Sequence, residues 1–341
     1  MVNILVIKTG AIGDVLRTTC IIEGLIEKYL NPKIYWLTSF KSINVIDNNP
    51  HLRKVFVIEN LDNQIYNLNF DLVLSLEEDK KCLEILTKIR KKTIFGVYEN
   101  KSRKEYTPRS SYWYNMSLIS KFGKETADAL KKSNIFSYPE ILYRMLELNW
   151  NKQKPKLYLK NNIMESSIKK IEKINLEKPI IGIVVGAGER WPLKVLPLDL
   201  QIKLINKIKK EIKNNAEILI ITGPSDIEIN KTKEIKKAIP SVKTHEIVDL
   251  NTFFGIINLC DILITPDTLA MHVGISLNKY VLTYFTVTSA QEIEIYHGEK
   301  IITEDEEFYC SYSTDNLKRP NCTDKININK IVNFVKRSIL N

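Results

Sequence analysis

Apolar residues in this chain follow two alternating patterns: short continuous runs, and longer stretches with helical spacing. In the first half the runs fall at 4–7, 34–37, 55–58, 71–76 and 93–97. Val15, Leu16, Cys20, Ile21, Leu25 and Ile26 mark one face of a helix behind the first run, and 80–91 reads as another helix. Unbroken β-branched runs separated by helices predict a parallel sheet covered on both faces. Residues 139–149 read as a helix opened by Pro139, and the polar stretch 151–156 with Pro155 as the approach to a boundary. The second half restarts the pattern, with strands at 180–185, 218–222, 262–264 and 280–285. Its helices fall at 198–212, 226–238, 253–259 and 268–277.

The expected fold class is therefore α/β, with two Rossmann-like doubly wound domains facing a cleft. The first spans 1–155 and the second 156–327. A ligand is expected where strand carboxyl ends and helix starts collect. The last helix, within 328–341, has no evident sheet of its own and is assigned a return onto the first domain.

The first strand and helix are joined by Lys8-Thr9-Gly10-Ala11-Ile12-Gly13-Asp14. Glycines 10 and 13 let the backbone turn tightly and bring amides toward a ligand, and a helix start favours negative charge. The spacing is not the three-glycine dinucleotide fingerprint, and the strand at 33–37 ends in Thr38 and Ser39 rather than an acid. Asp14 is either a helix cap or a base.

With 341 residues, 44% hydrophobic and 26% charged, the chain is expected to be a soluble two-domain protein. No apolar run approaches the roughly 20 residues of a membrane span, and the first strand begins at once, so a cytoplasmic location is expected. The five cysteines, Cys20, Cys82, Cys260, Cys310 and Cys322, are too scattered for a disulfide framework. A net charge of +10 favours anionic partners such as phosphorylated sugars, nucleotides or acidic lipid, or else marks a solvated lysine-rich surface. No nucleic-acid module accompanies the charge, and nucleic acid is not expected as a partner. Residues 99–114 mix Lys101, Arg103, Lys104 and Arg109 with Tyr106, Tyr112, Trp113 and Tyr114, either a sugar- or phosphate-binding loop or a surface loop with its rings tucked in.

Four segments together resemble glycosyltransferase family 9, the family of the lipopolysaccharide core heptosyltransferases. The stretch from Ile4 to Thr19 is similar to its opening motif. Gly186-Ala187 with Trp191-Pro192-Leu193-Lys194 and Pro197 resembles the second, and Thr222-Gly223-Pro224 followed by Asp226 and Glu228 the third. The run from Cys260 through Asp267-Thr268 to His272 is similar to the fourth. The order agrees over nearly the whole chain. Leu269 stands where the family has glycine, and Thr286-Val287-Thr288 where it has Gly-Pro-Thr.

The resemblance implies the GT-B type of fold and an inverting, metal-independent transfer of a sugar from a nucleoside diphosphate, heptose from ADP-heptose foremost. The acceptor would be a hydroxyl of an anionic lipopolysaccharide-type glycan or glycolipid, met at the inner membrane face. Asp14 would be the base. Lys194, Gly186, Ala187, Asp226, Glu228, Asp267, Thr268 and His272 would hold the donor, with Lys194 and the helix start behind Asp267 taking the leaving diphosphate's charge. Asp226 and Glu228 would accept from ribose or else charge a helix start, and His272 would touch the phosphate or fix its loop. Thr9, Gly10, Gly13, Arg17, Arg53 and Arg103 are assigned to the acceptor. No cofactor and no metal are expected, because only Cys310 and Cys322 stand where some members carry four cysteines. The alternatives are another nucleotide sugar, a protein hydroxyl as acceptor, or a scaffold that binds sugar nucleotides without turnover.

Overall fold

The structure, a computed structural model, describes residues 2–116, 122–312 and 322–340. The chain divides into two compact units, 1–158 and 159–341, meeting just beyond the polar stretch around Pro155.

The first unit opens with β1 (Asn3–Ile7), α1 (Ile12–Thr18), α2 (Ile21–Lys28), β2 (Lys33–Thr38), β3 (Leu52–Val57) and β4 (Asn69–Ser75). It continues with α3 (Lys80–Lys88), β5 (Arg90–Asn100), β6 (Arg103–Tyr106), α4 (Ser111–Asn115), α5 (Gly123–Ser133) and α6 (Tyr138–Leu146). Its sheet has the order β3-β2-β1-β4-β5-β6 and is parallel except for β6, which returns antiparallel along β5. The single helix expected behind β1 is two. The Thr18 hydroxyl bonds the Asp14 carbonyl at 2.6 Å and the Thr19 hydroxyl the Leu16 carbonyl at 2.7 Å, and such back-bonds compete with the helical ladder where α1 gives way to α2. Residues 99–114, expected as a loop, extend β5, turn through Lys101 and Ser102 at positive φ, and form β6 and α4.

The second unit contains α7 (Ile163–Ile168), β7 (Ile180–Val184), α8 (Leu198–Ile212), β8 (Glu217–Ile221), α9 (Asp226–Ala238) and α10 (Leu250–Leu259). Then follow β9 (Ile262–Pro266), α11 (Leu269–Ser276), β10 (Tyr280–Phe285), β11 (Gly298–Ile302) and α12 (Ile328–Leu340). Its sheet is parallel throughout, in the order β11-β10-β9-β7-β8. The helix that the sequence left without a sheet has one here. Ile328, Ile331, Val332, Phe334 and Val335 of α12 join the same core as Leu204, Ile205 and Ile208 of α8, and the Phe334 ring lies 4.7 Å from that of Tyr280. The apolar face of α12 is thus buried in the second unit, where the sequence reading had it return onto the first.

Each sheet reverses its strand order once, between β1 and β4 in the first unit and between β7 and β9 in the second. Loops leaving the carboxyl ends of strands at such a reversal part to opposite faces and leave a crevice for a ligand. Asp14 follows β1, and Asp267 follows β9.

Candidate active site

In the first unit Ala11 occupies the cap position of α1 and has no side chain able to cap, so Asp14, third residue of the helix, is not its cap. The Asp14 Oδ1 lies 2.8 Å from Arg17 Nη2, one turn on, with side chains 37% and 14% exposed respectively. The Arg17 guanidinium lies over the Tyr138 ring at 3.9 Å and 5.8 Å from Trp113. Tyr138 in turn has its hydroxyl 2.8 Å from that of Thr18. Arg17, expected on the acceptor, is therefore engaged by charge with Asp14 and by its flat face with Tyr138.

Glu77, two residues past β4, closes the loop. Its Oε1 accepts from the Thr9 amide at 2.8 Å, the Gly10 amide at 3.0 Å and the Lys8 ammonium at 2.8 Å. The Thr9 and Gly10 amides, expected to face a ligand, are thus used within the unit. Gly13 lies in the first turn of α1. Burial alone would lower the Lys8 pKa, yet the carboxylates of Glu77 and Asp14 hold it above its ordinary value, so Lys8 stays charged. Beside it, Tyr106 donates to Glu78 at 2.5 Å and stacks on Tyr114 at 4.6 Å, which brings part of the aromatic segment to this end of the sheet.

Two expected acceptor residues are not gathered here. Arg53 is the second residue of β3, at the amino end of a parallel sheet whose carboxyl end carries Asp14. Arg103 starts β6 opposite Asn100, exposed at the tip of a hairpin.

In the second unit Lys194 closes a short 3-10 turn, and its ammonium lies 2.9 Å from Asp267 Oδ2 and 3.1 Å from the Asp267 carbonyl oxygen. Burial pushes the Asp267 carboxyl up, but Lys194 and His272 bring it down to about 2. Thr268 precedes α11, with its hydroxyl 3.2 Å from that of Thr265 rather than on an amide of the helix, and Leu269 is the first helical residue. His272 is nearly buried on the first turn, with its amide donating to Thr268 at 3.3 Å. The Trp191 ring lies 5.7 Å from the Lys194 ammonium and edge-on to Tyr312 at 6.2 Å.

Glu228, also assigned to the donor, is buried and structural on one oxygen: its Oε1 accepts from the Gly188 amide at 2.9 Å. Ser225 caps α9 through the Glu228 amide, so Ser225-Asp226-Ile227-Glu228 has the spacing of a capping box whose acid reaches a neighbouring loop. A Cβ on Gly186 or Gly223 would sit 2.1 Å from the Glu228 carboxyl, which is why both positions are glycine. Ala187 is half-buried beside Gly186, and Asp226 is exposed at the start of α9. The 286–288 segment is packed rather than open, with the Thr286 hydroxyl on the Leu193 carbonyl at 2.5 Å and Val287 buried against Leu193 and Phe308.

Glu77, Glu78 and Tyr138 escaped the sequence reading. The signal for the two acids was available in the run Glu77-Glu78-Asp79 behind a strand, a position that puts side chains at the carboxyl end of a sheet. Among the described residues no group of three or more His, Cys, Asp or Glu is placed to hold a metal. Cys310 is buried; Pro320, Asn321 and the Cys322 side chain lie outside the described residues.

Residues 60–323 match the family model described as glycosyltransferase family 9 (heptosyltransferase). Similar solved structures include a family 9 glycosyl transferase from Veillonella parvula DSM 2008, 16% identical over 99% of this chain and 97% of that one, with a TM-score of 0.69. The E. coli ADP-heptose lps heptosyltransferase II is 15% identical over 99% and 98%, with a TM-score of 0.68. The E. coli heptosyltransferase WaaC with ADP is 13% identical over 98% and 97%, with a TM-score of 0.61. No curated protein sequence matches the chain.

Proposed function

The chain belongs to glycosyltransferase family 9, and on that premise we propose that it moves heptose from ADP-heptose to a hydroxyl of a glycan acceptor, with inversion and without a metal. The family makes it a glycosyltransferase; donor, acceptor and stereochemistry are the proposal. The observation that carries it is Lys194 held 2.9 Å from Asp267 at the start of α11, where a cation and a helix amino end act on the same charge. ADP is also the ligand of the solved WaaC structure.

In this reading the acceptor oxygen attacks the anomeric carbon as Asp14 takes its proton, and the bond from that carbon to the diphosphate breaks. The ADP leaves with the electron pair, and Lys194, exchanging Asp267 for phosphate, takes up the developing charge with the first amides of α11. Asp226, exposed at the start of α9, is the acid we assign to the ribose, and Glu228 shapes the loop beside it. No helix among the described residues is long and apolar enough to cross a membrane. A lipid-anchored acceptor would be reached from the membrane surface, which suits a net charge of +10.

The scaffold alternative draws on Leu269 and the packed 286–288 segment. Against it, Asp14 and Lys194 are both present at switch-point loops. Calorimetry with ADP, UDP and GDP in excess chelator tests the donor, using the native chain and Lys194→Ala. Selective ADP binding that weakens in the variant supports the reading. Binding of UDP or GDP instead reassigns the donor, and no binding of any leaves the scaffold. ADP release from ADP-heptose by native protein and by Asp14→Ala, with glycan and peptide acceptors compared, then tests transfer.

A further inference from the structure

One carboxylate oxygen, Glu77 Oε1, receives two consecutive backbone amides and an ammonium, from Thr9, Gly10 and Lys8. The Lys8 and Glu77 side chains are only 12% and 16% exposed, so water does little to screen the pair. Lys8 also feels the charge of Asp14. A lone ammonium there would favour the ionised form of Asp14 and weaken it as a proton acceptor.

We infer that Glu77 is a positioning residue for the base: it folds the loop ahead of Asp14 through the Thr9 and Gly10 amides and cancels the charge of Lys8. The inference takes its catalytic meaning from the reading of Asp14 as base. Asp14 then meets a neutral Lys8–Glu77 pair beside its own ion pair with Arg17. Among the described residues the groups that act on Asp14 include Arg17 from its own helix, Lys8 just past β1, Tyr138 from the start of α6 and, through Lys8, Glu77 two residues past β4. Only Lys8 and Glu77 are changed in the variants below, so differences among them report those two charges.

The test is a carbon-13 carboxyl NMR titration of Asp14 in the full chain, with its resonance assigned by its loss in Asp14→Asn. Glu77→Gln keeps an oxygen for the two amides but uncovers the Lys8 charge, and the Asp14 midpoint is expected to fall by about half a pH unit to one unit. Lys8→Met leaves the Glu77 charge uncovered, and the midpoint is expected to rise by a similar amount. The double variant returns it close to the native value. A residue that served structure only would not produce opposite shifts that cancel.

An unchanged or raised midpoint in Glu77→Gln, or a double variant that fails to return, overturns the inference. Should Glu77→Gln not fold, Lys8→Met decides alone, a rise supporting and an unchanged midpoint overturning. Turnover of ADP-heptose by Asp14→Asn tests the base separately. Full turnover there removes the base reading, while the relation among Lys8, Glu77 and Asp14 is still judged by the titration.

Discussion

Lys194 reaches both the side chain and the backbone of Asp267, at 2.9 and 3.1 Å, with the two side chains 14% and 16% exposed. This pair joins the loop after β7 to the loop after β9 at the strand-order reversal. Lys194→Met is expected to weaken ADP binding by roughly 10- to 100-fold, since the charge-assisted contact proposed for the phosphate is lost. Asp267→Asn is expected to act oppositely on ADP alone, tightening it several-fold, because a competing carboxylate is removed. Calorimetry on both variants checks the signs, and equal weakening by both would rule out competition for Lys194.

The same pair makes stability depend on acid. The Asp267 carboxyl is brought from 3.8 down to about 2, so its contribution is fully present above about 4 and is lost as pH falls through about 2. The shift corresponds to roughly 2 kcal/mol. Unfolding followed by denaturant between pH 5 and 2 should show this loss in the native chain and much less of it in Lys194→Met.

Gly186 and Gly223 face Glu228 so closely that an added methyl has no room. Gly186→Ala is expected to destabilise the chain by about 1–3 kcal/mol through overpacking. Glu228→Ala removes the obstacle but gives up the charge-assisted bond to the Gly188 amide, which also costs about 1–3 kcal/mol. The two should therefore be non-additive, with the double variant more stable than the sum of single losses predicts. Urea unfolding of the four proteins measures the coupling, and strict additivity would show that the loops do not meet at Glu228.

This cluster also shows what was legible in the sequence. Glu228 was singled out, but its bond to the Gly188 loop was not, because a motif fixes position and not partner. Its Gly188 partner lies 40 residues away along the chain. The parallel sheets and both reversal-point loops were readable from continuous apolar runs, whose buried strands need no special residues. The break between α1 and α2 was not, since it depends on threonine hydroxyls choosing carbonyls of the preceding turn. β6 was missed because Arg103, Lys104 and Glu105 lack strand alternation, and pairing with β5 alone defines it. The site of Arg53 required knowing which end of its strand faces the β1 loop.

His245 is buried, with Nε2 3.1 Å from the Thr222 amide and Nδ1 2.6 Å from the Glu246 carbonyl. A neutral ring protonated on Nδ1 satisfies both contacts; a second proton on Nε2 would oppose the amide. Burial holds its pKa below 6.5, so the unfolded chain binds the proton first. Its contribution is fully present above pH 6.5 and declines as the pH falls toward the lower folded value. Melting temperature should therefore drop between pH 7.5 and 5, and His245→Gln should be less stable at neutral pH yet flatter across that range. An unchanged slope would place the titration elsewhere.

Arg17 holds Asp14 by charge and Tyr138 by its face, and the two roles are separable. Arg17→Met keeps an apolar chain over the ring but removes a cation paired with the carboxylate. The loss of an opposite charge raises the proton affinity of Asp14, so the acid limb of the turnover profile should move to higher pH. Loss of orientation should also lower kcat by about tenfold at neutral pH. Arg17→Lys restores the charge without the planar stack, and should return the acid limb but only part of the rate. Donor KM, which the proposal assigns to Lys194 in the second unit, should stay unchanged in both. A shift of KM in place of the acid limb would assign Arg17 to substrate rather than to Asp14.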